Sequence, residues 1–191
     1  GDGRFDEVKM SPVRFMFWWF VQFVWVFVTL LPVLFVLDGT AGTTKVQRGF
    51  AWSDPAGLGA FAVGFAVETL ADAQKFVFRL DPRNEGKFIT TGLWTASRHP
   101  NYFGEIVLWW GVYVYALPAL RGYQHLAVLS PTLVTLLLSF GSGVPILEKA
   151  AHLRWGDDEE YIEYKRTTPV LIPFIQTKGL EYVPRNHSKE D

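Results

Sequence analysis

The chain has 191 residues and a formal net charge of −1, so its charge gives no indication of a nucleic-acid partner. It contains no cysteine, which excludes disulfides and thiolate metal sites, and its four scattered histidines form no zinc-binding motif. Hydrophobic residues make up 49% of the chain and occur in long blocks, unlike the amphipathic patterns of a soluble domain. These features predict an all-α, polytopic membrane protein without a metal site.

Four stretches of the sequence are almost free of charged residues and predict about four transmembrane helices. Most of them are long enough to cross a hydrocarbon layer of ~30 Å. The stretches are residues 15–37, 58–70, 103–120 and 126–147. The second is short, and it can cross only if its polar continuation to Lys75 is also helical.

The first half of the chain is predicted to form two helices joined by a loop. We expect the first helix to begin after Ser11, with Pro12 in its first turn, and to be kinked at Pro32. Residues 38–55 are rich in Gly and Thr and predict a loop. The second helix should run from about residue 55 to residue 79, and we expect Gly57, Gly59 and Gly64 to allow its close packing against another helix.

The second half of the chain is predicted to form two more spans and a cytoplasmic helix. The third span should start after Pro100 and end at Pro118. The fourth should start near residue 124 or 130 and be interrupted where two glycines precede Pro145. Residues 148–166 then predict one charged amphipathic helix.

The expected domain organisation is one membrane domain over residues 1–175, with further helices missing upstream, and a polar tail over residues 176–191. Fifteen of the eighteen Lys and Arg residues lie before the first span, between the second and third, or after the fourth. The positive-inside rule therefore places residues 75–101 and the C-terminus in the cytoplasm. We expect an internal membrane such as the endoplasmic reticulum.

Four charged residues on the second predicted helix share one face, because their spacing is i, i+4, i+7 and i+11. They are Glu68, Asp72, Lys75 and Arg79. Ionisable groups at membrane depth usually face a bundle interior or an aqueous cavity. Ion pairing near the interface explains Lys75 and Arg79 as well as a binding site does. The deeper Glu68 and Asp72 favour a binding site.

A second group of polar residues surrounds the predicted start of the third span. Arg98 and His99 precede the free backbone N–H groups of that helix, a combination that attracts anions such as phosphate. Interfacial anchoring explains Arg98 and Tyr102 but not Glu105. Asn101 and Glu105 are four residues apart and share one face, so we expect them to bind a ligand.

A third group begins at Glu148, directly after the predicted interruption of the fourth span. Broken helices in membranes often line cavities, which makes Glu148 a candidate site residue. More polar side chains follow in the sequence, namely Lys149, His152, Arg154, Tyr161 and Tyr164. The acidic run at residues 157–160 is better explained as a solvated helix face.

Three stretches of the sequence together carry a resemblance to a known family. They are E-x-x-x-D-x-Q-K at 68–75, G-L-W-x-x-S-R-H-P-N-Y-F-G-E at 92–105, and Glu148 followed by Y-x-x-Y at 161–164 and I-P-F at 172–174. Over about residues 1–175, the chain resembles membrane proteins related to the C-terminal domain of steroid 5-alpha-reductases. Sterol reductases and isoprenylcysteine carboxyl methyltransferases are more distantly similar.

The resemblance implies an NADPH-dependent reductase of a carbon–carbon double bond in a lipid-soluble enone, such as a steroid or isoprenoid. Asp72 and Arg79 resemble the cofactor-contacting Asp and Arg of the reductases, and Asn101 and Glu105 resemble their Asn and Glu near the nicotinamide. Glu68 stands where the steroid enzymes have Asn. The full predicted cofactor-binding set is Glu68, Asp72, Lys75, Arg79, Arg98, His99, Asn101, Tyr102, Glu105, Glu148 and Tyr164.

The resemblance leaves the catalytic acid unassigned, because the steroid reductases carry it on N-terminal helices that would precede Gly1. Two alternative functions stay open. A methyltransferase using S-adenosylmethionine shares the Arg-His-Pro-x-Tyr-x-Gly core, although such enzymes usually have Glu-Glu where this chain has Glu148-Lys149. A non-enzymatic membrane protein that kept the fold is the other. The expected partners are membrane lipids and a lipid-soluble small molecule.

Overall fold

A computed structural model describes residues 11–38 and 50–176, and the regular secondary structure of these residues is helical. The α-helices of the described ranges are α1 (Pro12–Thr29), α2 (Leu31–Leu37), α3 (Ser53–Leu80), α4 (Pro100–Ala116), α5 (Leu129–Phe140), α6 (Val144–Trp155) and α7 (Glu159–Thr167). Short 3-10 turns connect them at Pro82–Asn84, Gly92–Thr95, Leu117–Ala119 and Gly122–Val128. The predicted all-α class is confirmed.

Three helical stretches are long and apolar enough to cross a membrane, which confirms the prediction of a helical membrane protein. They are Pro12–Thr29, Ser53–Leu80 and Gly122–Trp155, the last of which combines a 3-10 turn with α5 and α6. The other predicted span forms α4, whose 17 residues extend about 26 Å at 1.5 Å per residue. It packs antiparallel against α3, since Tyr115 lies beside Gly57 and Gly104 lies beside Glu68.

The predicted breaks in the first and fourth spans are confirmed, and one predicted helix is wrong. The first span breaks at Leu30, two residues before Pro32, and the fourth breaks between α5 and α6. Residues 148–166 do not form a single helix, because α6 ends at Trp155. The carboxylate of Asp158 then accepts the backbone N–H groups of Glu160 and Tyr161 and starts α7. The C-terminal tail predicted over residues 176–191 lies outside the described residues from residue 177 onward.

Glycines spaced seven residues apart allow α3 and α4 to approach closely. Gly57 and Gly64 on α3 face Gly111 and Gly104 on α4, and a Cβ added at Gly104 would lie 2.6 Å from the Glu68 backbone nitrogen. Small residues at such positions let two membrane helices pack backbone against backbone. The predicted packing role is therefore confirmed for Gly57 and Gly64. It is wrong for Gly59, since a Cβ at this position would meet nothing within 4 Å.

The segment after α7 returns to the start of α4 and fixes it from below. The backbone N–H of Arg98 donates to the carbonyl oxygen of Pro169 (2.8 Å), and the Ser97 hydroxyl donates to that of Leu171 (2.8 Å). Val170 and Leu171 are buried together with Val144, the first residue of α6. This returning segment, residues 168–171, therefore joins the starts of α4 and α6.

Candidate functional site

A pocket of about 490 Å³ lies where the C-terminal end of α3 meets α6 and α7. The connector between α3 and α4 contributes residues 84–89 to its wall, followed by Trp94, Arg98 and His99. The remaining wall comes from α6 and from two tyrosines of α7, Tyr161 and Tyr164. Segments that are far apart in the sequence therefore meet at one end of the helical bundle.

A buried ionic network forms the floor of the pocket. Glu148 is only 2% exposed, and it accepts a hydrogen bond from Arg98 Nη1 at 2.8 Å. Its other oxygen lies 2.9 Å from His99 Nε2. Lys165 Nζ is 4.0 Å from the oxygen that contacts Arg98. Because a carboxylate facing Arg98 can only accept, His99 Nε2 carries the proton of that bond. Arg98 and His99, which the sequence predicted as anion-attracting residues, thus both turn toward a carboxylate.

Burial lowers the pKa of His99, and the hydrogen bond to Glu148 opposes that shift only in part. We therefore expect the protein to lose stability as the pH falls below about 6.5, the pKa of an unperturbed histidine. The sign follows from linkage, because the unfolded chain takes up this proton more readily than the folded protein. Thermal unfolding in detergent at stepwise lower pH measures the effect. His99→Gln should flatten the dependence, and an unchanged dependence would contradict the assignment.

The side chains that line the pocket carry an excess of positive charge. Five cationic residues line it and only two carboxylates, Glu85 and Glu148, the second of which already contacts Arg98. The cationic residues are Lys75, Arg79, Lys87, Arg98 and Arg154. Lys75 Nζ also lies 4.5 Å from the centre of the Trp94 ring, a distance at which cation and ring attract each other. Such a lining favours a ligand with several negative charges.

Aromatic side chains form the other part of the lining. Phe88 packs against Trp155, Tyr161 and Tyr164, with ring centres 5.7, 5.1 and 5.7 Å away. The Tyr164 hydroxyl donates to the carbonyl oxygen of Trp94 at 2.7 Å. Burial raises the pKa of Tyr161 to about 12 and also raises that of Tyr164, so both hydroxyls stay neutral at physiological pH.

A second polar group lies on the facing sides of α3 and α4, outside the lining of this pocket. The Asn101 amide donates to the Asp72 carboxylate at 3.0 Å, so these two residues, each predicted to contact a cofactor, are neighbours. Glu68 and Glu105 are half-buried nearby, and Tyr102 stacks on the ring of His99. Asp72 precedes the pocket residue Lys75 by three positions, so this group borders the pocket without lining it.

Six residues of the predicted cofactor-binding set line the pocket, and five lie in the bordering group. The six are Lys75, Arg79, Arg98, His99, Glu148 and Tyr164. The five are Glu68, Asp72, Asn101, Tyr102 and Glu105. Sequence reasoning missed Lys87, Phe88, Trp94 and Trp155, although the Gly-Leu-Trp motif at 92–94 gave a signal for Trp94. Whether either set binds a cofactor stays a prediction.

The fold and the site together define a multi-pass helical membrane protein with a cationic, aromatic-lined pocket at one end of its bundle. The chain belongs to the family described as "Protein of unknown function (DUF1295)", whose model matches residues 1–168. It is also similar to the probable O-methyltransferase ustE of Ustilaginoidea virens, with 35% identity over 79 residues. That match covers 40% of this chain and 28% of the relative's length. No solved structure matches the chain.

Proposed function

We propose that the chain is the cofactor-binding part of a membrane-embedded, NADPH-dependent reductase. Its substrate would be a lipid-soluble enone, steroid-like or isoprenoid, in which a carbon–carbon double bond is reduced. The observation that carries the proposal is the charge of the pocket, since five Lys and Arg side chains face two carboxylates. NADPH has a pyrophosphate and a 2′-phosphate, and Lys and Arg are the side chains that bind such groups in proteins.

The residues of the pocket fit the two kinds of surface that a dinucleotide presents. Lys75, Arg79 and Lys87 would hold phosphate oxygens at the end of α3 and in the connector. The aromatic part of the lining offers apolar surface against which a planar base can pack. When bound, NADPH supplies the hydride, and the protein's part is to bind and orient it. The hydroxyls of Tyr161 and Tyr164 stay neutral and therefore do not repel phosphate.

A lipid-soluble substrate suits the surroundings of the pocket. On α3, close to the pocket residues Lys75 and Arg79, the side chains of Phe76, Val77 and Leu80 are each about two-thirds exposed. In a bilayer these side chains contact lipid, so an apolar substrate dissolved in the membrane can reach the same end of the helix. We propose that this end faces the cytoplasm, because the Lys and Arg residues are concentrated in the connections on that side.

A methyltransferase that uses S-adenosylmethionine is the second candidate, and the similarity to the O-methyltransferase ustE favours it. The charge of the pocket argues against it. S-adenosylmethionine carries a sulfonium and an ammonium group, and like charges within a pocket are unfavourable. Both cofactors contain adenosine, so the aromatic lining does not separate the two candidates.

Binding measurements in detergent distinguish these functions. We expect NADPH to bind more tightly than S-adenosylmethionine, and Arg79→Ala to weaken NADPH binding by about 10- to 100-fold, the loss of one charged hydrogen bond. Arg83→Ala is the matched control, because Arg83 is fully exposed, pairs with Asp81 and lies outside the pocket lining. Isothermal titration or NADPH fluorescence gives the affinities.

The other outcomes are equally informative. Tight binding of S-adenosylmethionine without binding of NADPH would replace the reductase by the methyltransferase. Binding of neither would leave a membrane protein that kept the fold without a cofactor. Equal losses in Arg79→Ala and Arg83→Ala would show that the pocket is not where NADPH binds.

A further inference from the structure

One wall of the pocket, residues 85–88, is held by few interactions of its own. It is anchored at both ends, since the Asn84 amide donates to the carbonyl oxygen of Phe78 (2.9 Å) and Ile89 is buried in a core cluster. Between these anchors the backbone forms a turn and an irregular stretch, and residues 85–87 are exposed. The position of this wall therefore depends on contacts with other elements.

Those contacts come from α6 and α7. The indole N–H of Trp155 donates to the carbonyl oxygen of Gly86 at 2.6 Å. The ring of Phe88 lies among Trp155, Tyr161 and Tyr164. A single hydrogen bond and a single aromatic side chain thus hold the wall to the opposite side of the pocket.

The backbone of the wall turns at a glycine whose conformation other residues rarely adopt. Gly86 has φ of +79°, and a Cβ at this position would meet nothing within 4 Å. Space is therefore available for a side chain, and the left-handed backbone is what favours glycine here. Because glycine has no side chain, none resists rotation of the backbone at Gly86, as expected for a hinge.

We propose that residues 85–88 are a hinged wall that opens to admit and release the ligand of the pocket, with the hydrogen bond between Trp155 and Gly86 as its latch. Closing the wall places the pocket residue Lys87 against the bound ligand, where its charge would contact a phosphate. The choice of NADPH as that ligand rests on the proposed function, whereas the latch itself does not.

Trp155→Phe tests the proposal, because it keeps an aromatic ring beside Phe88 and removes the N–H donor, while Trp110→Phe controls for the smaller ring. Without ligand, we expect faster hydrogen–deuterium exchange of the backbone amides at residues 85–88. In stopped-flow fluorescence, NADPH should associate and dissociate about 2- to 10-fold faster, which corresponds to losing one neutral hydrogen bond. Its dissociation constant should change less than either rate. Loss of a direct contact to the ligand would instead raise the dissociation rate alone.

Two matched controls accompany the test. Trp110→Phe likewise removes a hydrogen bond from an indole to another helix, to Thr135 on α5, at a site outside the pocket. Gly86→Ala should open the wall by straining its closed backbone, whereas Gly122→Ala carries a similar strain at φ of +52° in the turn before α5. Neither Trp110→Phe nor Gly122→Ala should alter the exchange of residues 85–88 or the NADPH rates.

Unchanged hydrogen exchange in Trp155→Phe would overturn the role of this hydrogen bond as a latch. Faster exchange with unchanged NADPH rates would overturn the role of the hinged wall in admitting and releasing the ligand. If NADPH fails to bind the wild-type protein, the proposed function fails, and the same rates are measured with S-adenosylmethionine. If neither NADPH nor S-adenosylmethionine binds, the role of the hinged wall in ligand entry is overturned. The exchange measurement still decides whether the hydrogen bond is a latch.

Discussion

Replacing Glu148 by alanine is expected to destabilise the protein by about 3–5 kcal/mol, the usual cost of removing one partner from a buried ion pair. The carboxylate is almost completely buried, and it is the described partner of both Arg98 Nη1 and His99 Nε2. Its loss would leave the positive charge of Arg98 in the protein interior without this counterion. Unfolding in detergent, followed by circular dichroism against denaturant, measures the change.

The exposed ion pair between Glu163 and Arg166 provides the control. It is as short as the buried contacts, at 2.6 Å, but both side chains are mostly in solvent. Exposed pairs contribute little to stability, so Glu163→Ala should leave the unfolding midpoint almost unchanged. A double replacement, Glu148→Leu with Arg98→Met, should recover much of the lost stability, because no charge is then left buried. Equal effects of Glu148→Ala and Glu163→Ala would contradict the network.

Adding one methyl group to Gly64 is expected to cost about 1–3 kcal/mol by overpacking the contact of α3 with α4. A Cβ at Gly64 would lie 2.6 Å from the carbonyl oxygen of Gly104 and 2.8 Å from the Cα of Leu108, so both obstacles are backbone atoms that no rotamer change can move. The two helices would have to separate along the length that positions Asp72 beside Asn101.

Gly59→Ala is the matched control, since it adds the same group on the same helix where nothing lies within 4 Å. We expect a small gain in stability there, because alanine favours a helix over glycine by ~1 kcal/mol. Melting temperatures of the two purified variants in detergent decide the matter. If Gly59→Ala destabilises as much as Gly64→Ala, close packing of α3 against α4 is not the cause of the loss.

The helices could be predicted from the sequence because their causes are local. Charge-free blocks of sufficient length gave the spans, and Pro32 and the glycines before Pro145 gave the breaks. The end of α6 at Trp155 was missed because the charged pattern continues across it, while Gly156 at the end of α6 and Asp158 at the start of α7 separate the two helices. The roles of Gly57 and Gly59 could not be told apart, since helical phase relative to a neighbour is not written in composition.

The candidate site was predictable in its members and not in its pairings. Arg98 and His99 stood out beside Pro100, but their partner Glu148 lies about fifty residues further along the chain. Asp72 and Asn101 were predicted separately as cofactor-contacting residues, and they form a hydrogen bond with each other, yet they border the pocket instead of lining it. The contact of Trp155 with Gly86 joins two segments 69 residues apart, and no spacing rule predicts such a contact.

The returning segment after α7 determines where the folding unit of this chain ends relative to its family match. The family match stops at residue 168, but the three residues that follow it accept the backbone N–H of Arg98 and the hydroxyl of Ser97 and fill the space beside Val144. A domain boundary placed at residue 168 would therefore remove contacts that join the starts of α4 and α6. In this chain, the residues that stabilise the fold therefore extend past those that match the family model.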